Sequence, residues 1–376
     1  MFFKDIIGQK NLLSRFINTV KENRVSHAWL MFGEEGTGSL PIALAFASYI
    51  LCTNRLEDDA CGTCASCRKT QKYIHPDMHF VFPVNKTREV DSDSVGSDDF
   101  ISYWRSFISE NPYGRLTQWY NHIDLDNKQG IISTDESKRL TSKLMLKSFE
   151  SDYKIVIIWH PEKMNDQASN KILKLLEEPP AQTIFMLVAE NPDMLLTTIR
   201  SRCIPVKIPR ITDSDMIAAL RERFGIEQGS AVEVARLAEG NYLKAIEMAG
   251  DPDEINFNFL KFRDLMRSCL KNSIPEIIGH AEELSALNRE KQKSFLEYGL
   301  GTVRESLALH FNEPEIVHIQ NREMEFTPRF APFITGLNIS GFNKELSRAV
   351  HDIERNGNGK IIFLDLGLKL AGLIKR

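Results

Sequence analysis

The sequence lacks long hydrophobic runs and lacks an excess of positive charge. Among its 376 residues, no window of about eighteen uninterrupted apolar residues occurs, so no transmembrane helix is predicted. The 47 Lys and Arg residues are balanced by 51 Asp and Glu residues, which leaves a net charge of −4. Proteins that coat nucleic acid irrespective of sequence usually carry a basic excess. The charge balance therefore argues against that class and leaves only a local nucleic-acid contact open.

Secretion signals and a disulfide framework are also missing. The first residues, Met1 to Asp5, do not form a basic region followed by an apolar core. We therefore expect the protein in the cytoplasm. Cysteines are few, and four of the six lie between Cys52 and Cys67. In a reducing compartment such a cluster indicates a metal site before it indicates disulfides.

The clustered cysteines have the spacing of a zinc knuckle, with ligands at Cys52, Cys61, Cys64 and Cys67. Four thiolates at about 2.3 Å from Zn²⁺ close a tetrahedron and leave no open position, so the site is expected to be structural. An iron–sulfur cluster and unrelated buried thiols are the alternatives. The ferredoxin pattern needs Cys-Pro after three further residues, where this chain has residues 68–71 as Arg-Lys-Thr-Gln. The spacing favours zinc.

A glycine-containing loop has the outline of a phosphate-binding loop but lacks the residues that handle a nucleotide. Gly33, Gly36 and Gly38 follow an apolar run that predicts a buried parallel strand, and an apolar helix follows them. A working loop continues with Lys, for the β and γ phosphates, and with Ser or Thr, for Mg²⁺. Ser39 and Leu40 occupy these two positions. We therefore expect no ATP binding in this chain.

A second set of catalytic residues is missing after the apolar run at residues 154–159. In a nucleotide hydrolase this strand ends in an Asp for magnesium and a Glu that orients water. The chain instead continues Trp159-His160-Pro161-Glu162, and Glu162 comes too late for that role. This loss is independent of the altered loop and agrees with it.

The remaining patterns predict strands, helices and one insertion. Residues 89–99 are acidic and serine-rich, which predicts a solvated loop, and aromatic residues follow up to about residue 130. Interleaved aromatics can stack on bases, but this stretch is not basic, so a small packed insertion is favoured. From residue 255 to the end only helical patterns occur. Further strands are predicted at 78–84 and 183–189, with a short one ending at residue 208, and helices at 41–51 and 167–178.

Six segments occur in an order that resembles the bacterial clamp-loader branch of the AAA+ proteins. They are FKDIIGQ (3–9), SHAWLMFG (26–33), the four-cysteine knuckle, KLLEEPP (174–180), ENP (190–192) and TIRSRC (198–203). The resemblance implies an α/β AAA+ P-loop-type domain with a parallel sheet, followed by a small helical lid and an all-α C-terminal collar domain. The expected domains are 1–209, with the knuckle at 52–67 and the insertion at about 89–130, then a lid at 210–250, a linker at 250–254 and a collar at 255–376.

The resemblance also assigns a role to an arginine. In clamp loaders the Arg of the Ser-Arg-Cys motif reaches into the ATP site of the neighbouring subunit, and the matching residue is Arg202, between Ser201 and Cys203. A guanidinium is always charged and forked, which suits it to stabilise charge on a transferring phosphoryl group. Two alternatives stay open: Arg202 pairs with a carboxylate of its own domain, or Arg200 is the finger.

The family's sensor arginine is altered as well, because Leu243 stands at the matching position and Lys244 would need a shift in register. The resemblance thus implies a subunit that assists hydrolysis without performing it. Its expected partners are the other clamp-loader subunits (an ATPase subunit and the delta subunit) in a hetero-oligomeric ring, and through the ring the sliding clamp and primed DNA, with no membrane. The alternatives are a catalytically active ATPase subunit of the same family and a zinc-dependent DNA-binding module.

Overall fold

The chain forms two compact units, residues 1–246 and 247–376. The computed structural model describes residues 1–92, 94–125, 128–250, 252–311 and 326–374. Within these ranges no helix is both long and apolar enough to cross a membrane.

The first unit is built on a five-stranded sheet with the order β2-β3-β4-β1-β5. Every neighbouring pair of strands is parallel. The side chains of β3 and β4 are buried along their whole length, as expected for strands covered on both faces. The strands are β1 (Ala28–Phe32), β2 (Met78–Val81), β3 (Lys154–Trp159), β4 (Thr183–Ala189) and β5 (Ile204–Lys207).

The predicted strand at 78–84 ends three residues early. The backbone N–H of Phe82 donates to the Ser97 hydroxyl at 3.0 Å instead of continuing the ladder with β3. The carbonyl of Pro83 accepts the indole N–H of Trp119 at 2.9 Å. The insertion therefore takes over the hydrogen bonds that a longer β2 would have made.

Helices cover both faces of the sheet. The N-termini of two of these helices are determined by local contacts. Asn165 caps its helix, because its side chain accepts the backbone N–H of Ala168 at 2.8 Å. Gly38 adopts the left-handed region at φ 98°, and the helix that was predicted to begin at Pro41 begins directly after it, at Ser39. The helices are α1 (Lys10–Lys21), α2 (Ser39–Leu51), α3 (Ala65–Gln71), α4 (Ile101–Glu110), α5 (Leu116–His122), α6 (Thr134–Leu144), α7 (Asp166–Glu177), α8 (Thr197–Arg200), α9 (Asp213–Phe224), α10 (Gln228–Ala238) and α11 (Tyr242–Gly250).

The aromatic insertion is packed, as predicted. Trp104 on α4 and Trp119 on α5 are fully buried, with ring centroids 5.3 Å apart and ring planes at 90°. Phe82 stacks on Trp104 at 4.3 Å. Edge-to-face and offset arrangements of this kind stabilise a core beyond the area they bury. These three rings are therefore core residues and offer no stacking surface for bases.

The described part of the second unit is entirely helical, with one core formed by side chains of several helices. Together with the parallel sheet, this confirms the predicted fold class. The predicted linker at 250–254 is wrong in part: residues 252–254 belong to a helix, and residue 251 lies outside the described residues. The domain boundaries and the separate lid stay predictions. The helices are α12 (Pro252–Lys271), α13 (Ile274–Ser285), α14 (Arg289–His310), α15 (Thr327–Phe330), α16 (Ile339–Glu354) and α17 (Gly359–Leu373).

Because the strands are parallel, their carboxyl ends meet at one edge of the sheet. The glycine loop follows β1, His160 follows β3, and Glu190 follows β4. The topology alone thus brings together Glu190 and the two segments that the sequence singled out for nucleotide chemistry.

Candidate functional site

The four clustered cysteines converge, as their spacing predicts. One sulfur from each of Cys52, Cys61, Cys64 and Cys67 lies within 4.8 Å of all the others. Cys52 ends α2, Cys64 caps the start of α3, and Cys67 lies in its first turn. The ends of the two helices therefore position three of the four ligands, and the segment between the helices supplies Cys61.

Hydrogen bonds lower the pKa of the Cys61 and Cys64 thiols, whereas burial raises the pKa of the Cys52 and Cys67 thiols. Backbone N–H groups point at three of them: Cys61 N–H at Cys52 Sγ (3.4 Å), Cys64 N–H at Cys61 Sγ (3.4 Å) and Cys67 N–H at Cys64 Sγ (3.3 Å). Burial raises the pKa of the Cys64 thiol, but hydrogen bonds from Thr53 and from the Cys67 backbone outweigh it and lower this pKa to about 6. The cluster can therefore hold one tetrahedral metal ion.

The cysteine knuckle is joined to the N-terminal segment. The buried Asp59 carboxylate accepts the backbone N–H groups of Phe3 and Lys4, both at 3.1 Å. A Cβ at Gly62 would meet the Phe2 ring at 3.4 Å. The knuckle is thus in direct contact with the first residues of the chain.

The glycine loop keeps its shape but is covered by other parts of the unit. Gly36 and Gly38 have φ values of 73° and 98°, which non-glycine residues rarely adopt. A Cβ at Gly38 would lie 2.9 Å from the Tyr113 ring, and one at Gly36 would collide with the side-chain amide of Asn241. Because these glycines have no Cβ, the side chains of Tyr113 and Asn241 contact the loop backbone at the place where a phosphate would bind in a working loop.

Tyr113 is one of several aromatic residues of the insertion, and no feature of the sequence distinguishes it from the others. It lies in the turn between α4 and α5, and its hydroxyl accepts the backbone N–H of Ile7 at 3.0 Å. Its ring meets the Tyr242 ring edge-to-face at 4.8 Å. Burial raises the pKa of Tyr113 to about 12, so the hydroxyl stays protonated at neutral pH. The insertion thereby places one aromatic ring between the glycine loop, the N-terminal segment and the start of α11.

The segment with α9 to α11 closes on the same loop. The backbone N–H of Tyr242 donates to the Gly36 carbonyl at 3.0 Å, and Arg210 pairs with Glu34 at 2.7 Å. Arg223 lies over the Tyr242 ring and donates to the Asp5 carbonyl at 2.6 Å.

These contacts leave a cavity of about 40 Å³ beside the loop, room for a few water molecules. Pockets for larger ligands measure about 300–1,000 Å³. In this conformation the cleft is too small for a nucleoside triphosphate.

A histidine and two glutamates lie together at the far side of this cleft, and two of them, His160 and Glu190, line it. His160 Nδ1 is 3.1 Å from Glu162 Oε1, and His160 Nε2 is 3.8 Å from Glu190 Oε1. The same Glu162 oxygen accepts the Glu190 backbone N–H at 3.1 Å. The sequence interpretation held that Glu162 comes too late to orient water as in a hydrolase, and this stays a prediction; the short helix at Pro161–Lys163 places its carboxylate at the sheet edge.

Trp159 stands where a hydrolase has its magnesium-binding Asp, and it belongs to the core. Only 4% of it is exposed, and its ring centroid is 5.1 Å from that of Trp104. Leu243, at the sensor position, is also buried. Neither position offers a charge to a phosphate.

Arg202 lies on the surface just after α8, and Cys203 beside it is buried. Its guanidinium pairs with Glu177 at 2.7 Å and donates to the Thr198 carbonyl at 2.9 Å, with 37% of the side chain exposed. Exposed pairs of this kind are worth about 0–1 kcal/mol, so the guanidinium can exchange Glu177 for another anion at little cost. Arg200 is paired in the same way with Asp193, at 2.5 Å. The finger role of Arg202 stays a prediction.

A loop with exposed apolar side chains follows α6. Met145, Leu146 and Phe149 are 70%, 68% and 80% exposed. The Asp77 carboxylate accepts the backbone N–H groups of residues 149, 150 and 151 at 2.6–2.9 Å, and Lys154 donates to the carbonyls of residues 144 and 146. Ordered apolar side chains that face solvent are typical of protein-binding surfaces. We call residues 145–149 the apolar loop.

Comparison with known proteins identifies relatives among the subunits of DNA polymerase III. The family model described as "DNA polymerase III, delta subunit" matches residues 8–212. The chain is 28% identical over 246 residues to DNA polymerase III subunit delta' of Bacillus subtilis (64% of this chain, 59% of that protein). It is 25% identical over 269 residues to subunit tau of the same organism (70% and 40%) and 22% identical over 306 residues to subunit delta' of Escherichia coli (81% and 77%). The matched region thus spans 59% of the Bacillus delta' subunit and 40% of the Bacillus tau subunit.

Proposed function

The chain belongs to the DNA polymerase III delta-subunit family, and from this premise we propose that it is a non-hydrolysing clamp-loader subunit of the delta prime type. It holds its place in a hetero-oligomeric ring with an ATPase subunit and the delta subunit, and it presents Arg202 to the ATP site of the neighbouring ATPase. Through the ring it helps to load the sliding clamp on primed DNA. One zinc ion in the cysteine knuckle is a structural part of the subunit.

The observation that carries this proposal is the filled cleft. The Tyr113 ring lies over Gly38, where a triphosphate would have to approach the backbone N–H groups of the loop. Ser39 and Leu40 cannot replace the missing Lys and magnesium ligand, since a neutral hydroxyl does not balance phosphate charge and an isobutyl group does not coordinate a metal. Sterics and chemistry therefore both support a chain that hydrolyses no ATP of its own. The runner-up, an active ATPase subunit, needs the cleft to open.

Nucleotide binding by the purified chain tests the proposal directly. We expect no ATP turnover and no binding of a fluorescent ATP analogue by the unmodified chain. The double variant Tyr113→Ala, Ser39→Lys removes the ring and restores the phosphate-binding charge, so we expect it to gain analogue binding and still show no turnover, because the acidic pair after β3 is absent.

The double variant Tyr103→Ala, Ser39→Lys is the matched control, because it carries the same lysine and removes a different tyrosine of the insertion, one that is 37% exposed. We expect it to bind no analogue. ATP turnover by the unmodified chain, removed by Gly38→Asp, would establish the active subunit instead.

The apolar loop is the surface that we propose for contact with the sliding clamp. The backbone of this loop is held in place by hydrogen bonds to Asp77 and Lys154, so binding costs little backbone ordering. We expect Phe149→Ser to weaken clamp binding by roughly 30-fold, the equivalent of about 2 kcal/mol for a central apolar anchor. Titration calorimetry with the purified clamp measures this.

Phe224→Ser provides the control, since Phe224 is 48% exposed at the end of α9. We expect this variant to bind the clamp normally. Equal affinity of Phe149→Ser and the unmodified chain for the clamp would show that the apolar loop is not part of the interface.

A further inference from the structure

Three arginines lie at the edge of an apolar groove in the second unit. The groove is a cavity of about 340 Å³ between α12 and residues 326–333. Arg263 and Arg267 come from α12 and Arg329 from α15, and no Asp or Glu of the described chain lines the groove. We propose that it binds an acidic peptide segment of a partner protein, in which a large apolar side chain is flanked by carboxylates.

One wall of the groove is a face of α12. Phe259, Met266 and Leu270 are separated by seven and four residues, so they lie on one face of the helix. Arg263 and Arg267 belong to the same face. Phe259 and Met266 are buried, whereas 41% of Leu270 is exposed. The apolar face of the helix therefore extends beyond the core and into the groove.

Aromatic rings form the opposite wall and hold one another in place. Phe326 and Phe330 stack with ring centroids 5.2 Å apart and ring planes at 13°. Phe259 of the first wall meets Phe326 edge-to-face at 6.2 Å, and Phe333, further along, is 36% exposed. Because these rings contact one another, the groove is preformed, and binding requires little ordering of its walls.

The arginines leave an excess of positive charge at the groove. Arg263 pairs with Asp264 at 2.9 Å, and Arg267 lies 3.8 Å from the same carboxylate, so two guanidinium groups share one negative charge. The exposed Arg329 side chain has no ion-pair or hydrogen-bond partner within the described ranges. Three arginines against one aspartate leave two positive charges, in a chain whose net charge is −4. Carboxylates are the matching ligands, because the forked guanidinium can donate to both oxygens of one carboxylate.

The arrangement of the rings favours a peptide over a nucleic-acid strand. Single strands bind by stacking their bases on free aromatic faces. Phe326 and Phe330 stack on each other, Phe259 packs against the first ring and Phe262 against the second, so little ring surface is left for a base. The cavity of about 340 Å³ lies at the lower end of the range for ligand pockets, which suits a large apolar side chain. An acidic peptide segment with one such side chain fits both the charge and the volume.

Calorimetric titration of the full chain with short peptides tests the groove. The probes are three hexapeptides, acetylated and amidated at their ends, with the sequence Glu-Glu-X-Leu-Glu-Glu and Phe, Trp or Leu at X. We expect at least one of them to bind, with an affinity that falls as salt is added. Two control peptides should not bind: Lys-Lys-Phe-Leu-Lys-Lys, which reverses the charge, and Glu-Glu-Ala-Ala-Glu-Glu, which lacks the large side chains.

Two variants with matched controls locate the binding site. Arg329→Gln should weaken binding roughly 10-fold, the effect of losing a charge-assisted hydrogen bond, and Phe333→Ala should weaken it by a similar factor through lost apolar contact. Both residues are at least partly exposed, so the fold should be unchanged, which near-UV circular dichroism checks. Arg355→Gln and Phe311→Ala remove exposed residues of the same types outside the groove and should bind the peptide normally.

Several results would overturn the inference. These are the absence of binding by all three acidic peptides at millimolar concentration, and an affinity that is unchanged in Arg329→Gln and Phe333→Ala. A ten-nucleotide oligothymidylate that displaces the peptide would assign the groove to nucleic acid. A dimer of the unmodified chain in sedimentation, dissociated by Arg329→Gln, would assign it to a second copy. The titrations contain no nucleotide other than this probe, so none of these results affects the proposal on ATP hydrolysis.

Discussion

Replacing Arg202 with alanine is expected to slow ATP hydrolysis at the neighbouring ATPase site of the assembled clamp loader by roughly 10³- to 10⁵-fold, the range of arginine fingers supplied in trans. The guanidinium stabilises charge that develops on the transferring phosphoryl group, so the loss should fall on the rate of hydrolysis and leave ATP affinity nearly unchanged. Single-turnover hydrolysis in the complex, with clamp and primed DNA present, separates the two quantities. Arg202→Lys keeps the charge but loses the forked donors, so we expect it to recover little of the rate.

The matched controls come from the surface around Arg202. Arg200→Ala removes an arginine two positions away that is paired with Asp193, and we expect normal hydrolysis from it. Glu177→Gln removes the carboxylate that holds Arg202 in the isolated chain, and this exposed pair contributes about 0–1 kcal/mol, so hydrolysis should again be unchanged. Loss of rate in Arg200→Ala with normal rates in Arg202→Ala would transfer the finger to Arg200. Normal rates in both variants would end the finger hypothesis.

Removing the metal from the cysteine knuckle is the second change with a large expected effect. We expect Cys61→Ser, Cys64→Ser to lose one bound zinc per chain and to unfold at a markedly lower temperature. An ion that binds only the folded chain stabilises it by about 4 kcal/mol at a thousand times its Kd, and all of this is lost with the ligands. Metal analysis and thermal unfolding, with and without a chelator, measure both effects.

The other two cysteines provide the control. Cys203 and Cys269 are buried outside the knuckle, and we expect Cys203→Ser or Cys269→Ser to keep the metal. Iron together with acid-labile sulfide in the unmodified chain would show that the knuckle holds an iron–sulfur cluster instead of zinc. A chain that contains no metal and has the same unfolding temperature with and without chelator would identify the four residues as ordinary thiols.

The sequence predicted those parts of the fold whose information is local. The strands at 28–32, 154–159 and 183–189 have the predicted bounds because each is an unbroken apolar run with polar or turn residues on both sides. The four knuckle cysteines lie within sixteen residues, so their spacing alone predicts that they meet. The predicted end of β2 was wrong because Ser97, a residue distant in sequence, takes the hydrogen bond that would have extended the strand.

The cover of the cleft could not be predicted, because its contacts join distant residues. Nothing in the sequence around Tyr113 predicts that its ring lies against Gly38. Nor does the sequence predict that its hydroxyl accepts a hydrogen bond from the backbone N–H of Ile7. The aromatic composition of the insertion predicted only that it packs. The position of the Glu162 carboxylate could not be predicted for a related reason: His160 adopts φ 51°, and this left-handed residue redirects the chain so that a carboxylate two positions later returns to the sheet edge.

Tyr113 also has a consequence for how the subunit behaves over time. In an active subunit a nucleotide binds between the phosphate-binding loop and the lid, is hydrolysed and is released. The cleft therefore alternates between an open and a closed conformation. The Tyr113 ring is part of the chain, so it is neither hydrolysed nor released. We expect the 1–246 unit to keep one conformation whatever the ratio of ATP to ADP, and the timing of the clamp-loading cycle to be set entirely by its neighbours.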